Sequence, residues 1–154
     1  MSEHDLIQKH HRDFSSAAHN QAMDILYSKE QSSDEIFSLM ELTHAAHWHW
    51  MQREDKTPQN VSVALWALSR AYSANGYAER SLQYALDSLA TIESENLLPS
   101  FYGYCNEALA RAYALNGNKD AAEEHYKRAL ELSEQIPTAQ AKEWLLDQIH
   151  RIEL

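Results

Sequence analysis

The chain is poor in the residues that break or staple a fold. Of its 154 residues, three are glycine, three are proline and one is cysteine. So few turn formers exclude a strand-rich chain full of tight turns and leave long, uninterrupted helices. The lone Cys105 excludes an internal disulfide and makes a reducing cytoplasm the expected home. Its neighbours Phe101, Tyr102 and Tyr104 mark it as a buried, inert thiol. No apolar run approaches the ~20 residues that cross a bilayer. The opening Met1-Ser2-Glu3-His4-Asp5 has neither the basic nor the apolar region of a secretion signal, so none is expected. An excess of positive charge is missing too. Thirteen Lys and Arg face 23 Asp and Glu, a net charge of −10. Such a surface repels a phosphate backbone and an anionic membrane, so neither nucleic acid nor membrane is an expected partner.

What the chain does have is a repeat. Ala67-Leu68-Ser69-Arg70-Ala71-Tyr72-Ser73-Ala74-Asn75-Gly76 returns as Ala108-Leu109-Ala110-Arg111-Ala112-Tyr113-Ala114-Leu115-Asn116-Gly117, 41 positions on and with 7 of 10 residues identical. A period of this size belongs to one supersecondary unit stacked on its neighbour. Apolar spacing, caps and breakers predict seven helices, at about 4–28, 34–53, 58–75, 77–95, 99–116, 118–135 and 138–153. Ser33 and Thr57-Pro58 read as N-terminal signals, and Asn75-Gly76 and Asn116-Gly117 as C-terminal ones. In the first helix Ile7, His11, Phe14, Ala18, Ala22 and Ile25 form the expected core stripe. The second helix is apolar on nearly every side, which predicts that it is sandwiched between others.

The run Ala108-Leu109-Ala110-Arg111-Ala112-Tyr113, followed by Gly117, Ala122, Tyr126, Ala129-Leu130-Glu131-Leu132 and Pro137, resembles a tetratricopeptide repeat (TPR). The likeness is strong over 105–137 and good over 64–92. The period departs from the family's unit of about 34. The resemblance implies an all-α, right-handed stack of helical hairpins forming one domain over 1–154. Its parts are a divergent His-rich hairpin (1–56), two repeats (58–95 and 99–135) and a capping helix (138–153) that hides the exposed face of the sixth helix. It also implies a concave groove lined by the first helix of each hairpin.

Placing Ser69 and Ala110 at the close-packing position turns Trp66, Arg70 and Ser73 toward that groove, with Glu107, Arg111 and Ala114 in the same places one repeat later. Two arginines one repeat apart can fork a carboxylate or phosphate. Packing alone accounts for the repeated alanines, leucine, tyrosine and Asn-Gly, but not for the arginine. Both arginines are therefore expected to be removable with binding lost and stability kept. The scaffold alternative pairs Arg111 with Glu107 and stacks Arg70 on Trp66.

Seven of the nine histidines lie in the first 49 residues. Glu41, His44 and His47 are three apart, and neighbours on a helix. No second Glu-x-x-His and no His-Glu-x-x-His accompanies them, so no metal site is assigned. A phosphate loop, a nucleophile elbow and paired catalytic carboxylates are also missing, and no catalytic residue or cofactor is assigned. The expected function is a cytoplasmic interaction or ligand-binding scaffold, not an enzyme. Its groove contacts are Trp66, Arg70, Glu107 and Arg111, with His44, Trp48 and His49 at the N-terminal end. The expected partner is a peptide, a protein or a small anion. The alternatives are a metal-binding protein or metal-dependent enzyme using the His-rich hairpin, and a structural subunit that forms a homodimer.

Overall fold

The computed structural model describes residues 1–154. It is all-α, with α1 Glu3–Tyr27, α2 Ser33–Gln52, α3 Pro58–Ala74, α4 Ala78–Ile92, α5 Pro99–Leu115, α6 Lys119–Ser133 and α7 Ala139–His150. The helices stand where the apolar spacing predicted them. Several boundaries moved by one to three residues, two of them for identifiable local reasons. Ser32, not Ser33, caps α2, because only Ser32 can pair reciprocally with Glu35: its hydroxyl accepts the Glu35 N–H at 3.1 Å while Glu35 accepts the Ser32 N–H at 3.3 Å. The fourth helix, expected to reach 95, stops at Ile92. Beyond it, the Tyr102 hydroxyl holds the carbonyls of Ile92 and Glu95.

Consecutive helices pack in pairs, α1 with α2, α3 with α4 and α5 with α6, and each pair packs on the next. The repeated Asn-Gly makes the turn inside two of these pairs. Gly76 and Gly117 take the left-handed conformation (φ 79° and 77°), which no other residue adopts. Around them the Tyr77 N–H bonds the Tyr72 carbonyl at 2.9 Å, and the Asn118 N–H bonds the Tyr113 carbonyl at 3.0 Å. This is a Schellman closure, used twice. The asparagine does more than end the helix. Asn75 Nδ2 donates to the Ala71 carbonyl and, at 2.9 Å, to the Ile36 carbonyl of α2. Asn116 Nδ2 repeats this with Ala112 and, at 2.8 Å, with Ala78 of α4. Each copy thus ties its own helix end to the first turn of the second helix of the preceding pair.

The core runs along the repeated segments. Leu68, Leu109, Ala71 and Ala112 are wholly buried and Ala67 nearly so; removing such a leucine side chain costs about 2–5 kcal/mol. Small residues let the helices cross closely. Ser69 donates to the Ser81 carbonyl at 2.9 Å, and Ser62 to that of Ser88 at 2.7 Å. At the equivalent positions of the second copy, Ala110 and Gly103, no hydroxyl is present. Gly103 instead lets α7 approach, since a Cβ there would lie 2.6 Å from Leu145.

One packing expectation is corrected and one is narrowed. The buried stripe of α1 is Ser15, Ala18, Ala22 and Leu26, while Ile7 and Phe14 are exposed. Close pairing with α2 selects the small residues, not the most apolar ones. The expectation for α2 holds in part: it lies between α1 and α3 and buries Leu39, Thr43 and Ala46, but Phe37, Trp48 and Met51 face outward. Helix α7 does more than cover α6. It packs on α5 and α6, and Arg151 after its end donates to the Leu26, Tyr27 and Ser28 carbonyls at 3.0–3.3 Å. The last turn of α1 has no basic residue, so Arg151 supplies the cation that helix terminus favours. No helix is long and apolar enough to cross a membrane.

Candidate functional site

The 41-residue offset sets Trp66 and Arg70 of α3 beside Glu107 and Arg111 of α5. The structure joins all four. Glu107 is fully buried. Its Oε2 accepts from Trp66 Nε1 at 2.9 Å, and its Oε1 accepts from Arg111 Nε and Nη2 at 3.1 and 2.8 Å. Arg111 Nη2 also donates to the Gln148 carbonyl of α7 at 2.9 Å. Burial alone would raise the Glu107 pKa. The Arg70 and Arg111 charges and the indole hydrogen bond overcome it and hold the carboxyl below its ordinary range. Glu107 is therefore an anion in the interior.

Arg70 is in a different condition. It is only 6% exposed, and its Nη1 lies 3.1 Å from Glu107 Oε1. That approach is too poorly aligned for a hydrogen bond, and Nη1 has no other partner. Loss of water pulls the guanidinium down to about 10, and the attraction of Glu107 does not compensate. The same guanidinium is nevertheless the leading charge that keeps Glu107 ionised. The cluster holds two guanidiniums and one carboxylate, so it is one negative charge short.

Arg70 opens on a chamber of about 540 Å³. Arg111, Arg151 and Lys29 also line it, with Ser28, Gln31 and Ser73 as neutral polar walls. Glu153 is the one acid in its lining, while Arg111 pairs with Glu107 and Arg151 with Asp147, each at 2.8 Å. In a chain of net charge −10, this is a concentrated patch of the minority sign. The arrangement leaves Arg70 Nη1 unbonded in a low-dielectric wall, able to receive an oxyanion that completes the charge balance.

Trp66 and Glu107 are scaffold of this site; they position Arg70 and Arg111 from behind. His44, Trp48 and His49 line neither this chamber nor the second cavity on the same face. His44 Nε2 lies 2.8 Å from the Tyr72 hydroxyl, on an exposed edge of α2. His49 faces His11 at 2.9 Å between Nδ1 atoms, with Phe14 and Trp48 around them. No third His, Cys, Asp or Glu completes a metal-binding group. Sequence reasoning missed Lys29 and Arg151. Lys29 sits in the break between α1 and α2, and Arg151 stands 40 positions beyond Arg111, past the last helix. The one available signal was that Arg151 does not share the apolar face of α7. No family model, curated protein or solved structure matches this chain.

Proposed function

We propose that this protein is a binding module, a short TPR-like stack whose α1–α3–α5 face receives the anionic group of a peptide, protein or small-molecule partner. The repeated helix end, the repeated asparagine tie and the pairwise packing support the repeat reading. One observation carries the functional one: Arg70 is desolvated and without a well-formed hydrogen bond at the wall of a chamber whose lining adds Lys29, Arg111 and Arg151. A desolvated donor left unbonded is where an incoming anion gains most. An incoming carboxylate or phosphate supplies the missing charge.

Calorimetry on the full chain tests this. The probes are citrate, inorganic phosphate, and a random pentapeptide pool with free or amidated C-termini. At least one anion is expected to bind, free-carboxylate peptides about tenfold tighter than amidated ones, and Arg70→Met to abolish binding with helicity unchanged. Failure of every probe to bind, or undiminished binding by Arg70→Met, overturns the reading.

A second reading has its own observation. Phe14, Phe37 and Trp48 are each more than half exposed on the first helix pair, an apolar area that suits self-association. Sedimentation across a concentration series tests it, and a strict monomer removes it.

A further inference from the structure

The same face carries a second cavity, and it shares no residue with the cationic chamber. It measures about 260 Å³ and lies where α1, α3 and α5 meet nearer the starts of α3 and α5. Lys, Arg, Asp and Glu are all missing from its walls, which Met23, Val63, Trp66, Phe101 and Tyr104 make largely apolar. Between it and the charged cluster stand the Trp66 ring and the pair formed by Tyr27, which donates to Tyr104 at 3.2 Å.

We propose that this cavity is a binding site for a small uncharged aromatic compound bearing one ring hydroxyl or ring N–H, of the size of phenol or indole. Size is the first argument. An apolar cavity of about 150 Å³ admits benzene, and pockets for drug-sized ligands begin near 300 Å³. A space of about 260 Å³ therefore fits one or two fused rings.

Wall geometry is the second. Trp66 and Tyr104 stand edge to face, 73° apart with centroids 5.3 Å apart. A ring entering beside them can stack on one and meet the edge of the other, the two arrangements aromatic pairs prefer. Charge is the third. An ionic ligand would give up its water here without gaining a counter-charge.

The polar handle is the fourth. In the tyrosine pair one hydroxyl hydrogen bonds the other oxygen, which leaves the second hydroxyl hydrogen with no acceptor in the protein. The His19 imidazole in the same wall is held neutral by burial alone, with no hydrogen bond or charge contributing. A ring hydroxyl or N–H meets such a wall with one polar contact and an otherwise apolar body. Ser62, by contrast, is already committed to the Ser88 carbonyl. The Cys105 thiol is held protonated by burial and carries no chemistry here.

Phenol, indole, toluene and benzoate are the probes, titrated into the full chain and followed by the indole N–H signals of the four tryptophans. Trp66 lines the cavity and donates to Glu107, while Trp48 and Trp144 are exposed. Phenol and indole are expected to move the Trp66 signal and leave those of Trp48 and Trp144 in place. Benzoate should act on it at least about tenfold more weakly. Val63→Phe fills the cavity and should abolish the response; if that variant does not fold, Phe101→Trp fills the same space from α5. His19→Phe keeps the apolar wall, and should weaken phenol and indole about tenfold with toluene unchanged. Arg70→Met should leave phenol binding intact, which separates this site from the anion chamber. A Trp66 signal unmoved by phenol and indole, a response equal in the filled variants, or benzoate binding as tightly as phenol overturns the proposal.

Discussion

The repeated segment appears twice in one fold, and its two arginines have opposite circumstances. Arg111, in the outer copy, sits four residues after a glutamate on its own helix and binds it with two well-aligned donors; a third bond goes to α7. Arg70, in the inner copy, sits four residues after Trp66 and draws its only carboxylate from the neighbouring helix, off-axis. The difference comes from one position. Trp66 and Glu107 are equivalent in the repeat, so a single acid serves both copies. Identical residues at identical repeat positions thus divide into an arginine with three hydrogen bonds and one whose Nη1 has none. Repetition is evidence of packing only where the partners repeat as well.

Glu107→Gln breaks the comparison at its centre and has the largest expected effect. It leaves one buried guanidinium and one partly buried one with no anion, which costs about 3–5 kcal/mol. A fall in the urea midpoint measures it; a loss under about 1 kcal/mol would mean that the cluster is hydrated rather than buried. Next come the two arginines as methionines, which keep the length of the stem. Arg111→Met removes three hydrogen bonds, two of them to a charge, and should lose about 2–3 kcal/mol. Arg70→Met removes a desolvated charge but also the leading charge that keeps Glu107 ionised, so its two effects oppose and the midpoint should move by less than about 1 kcal/mol. The sequence-level expectation that both arginines can be removed at no loss of stability is thereby divided: it is kept for Arg70 and withdrawn for Arg111. Equal losses in the two variants would collapse the distinction.

Gly76→Ala and Gly117→Ala test where the copies are alike. Both glycines have left-handed backbone and open space around a Cβ, so only backbone strain opposes the change. Each should lose roughly 1–2 kcal/mol, and the two losses should agree. A clear inequality in thermal melts would mean that the two turns carry different tertiary loads.

Much of this was legible in the sequence, because helix starts, stops and periods are local. The Asn-Gly closures and Thr57-Pro58 act within one turn. The repeat offset also put Trp66, Arg70, Glu107 and Arg111 together before any coordinates, since equivalent positions of adjacent units are neighbours. What failed was the choice of buried face on the first pair. Hydropathy favoured Ile7 and Phe14, whereas close approach of α1 to α2 buries Ser15, Ala18 and Ala22. Lys29 and Arg151 were out of reach for a different reason. They come to the chamber from an interhelical break and from beyond α7, where no period relates them to Arg70. The same holds for His19 and Tyr27 of α1, which share a cavity with residues of α3 and α5 but are related to them by no period.

The first helix pair and the repeats should also separate in acid, by the smallest effect of all. Burial lowers the pKa of His19 in α1 and of His44, His47 and His49 in α2. Arg80 adds to the effect at His44, His44 at His47 and His11 at His49. In the repeats His125 alone shares this direction. A histidine whose folded pKa lies below its ordinary 6.5 binds fewer protons folded than unfolded just under that value. Stability on its account is complete above pH 6.5 and falls as the pH drops through the folded value. Glu107 is displaced downward as a carboxylate, so its contribution holds above its ordinary 4.5 and is lost only further down. Amide exchange at pH 7.5 and 5.5 should therefore show α1 and α2 losing protection first, with α3 to α6 nearly unchanged until the carboxylate range. Replacing His47 by Gln should reduce the early loss, because the half-buried ring no longer has to stay neutral. Equal loss of protection in all the helices between those two pH values would show that the stack opens as one unit, and that the histidines set no order within it.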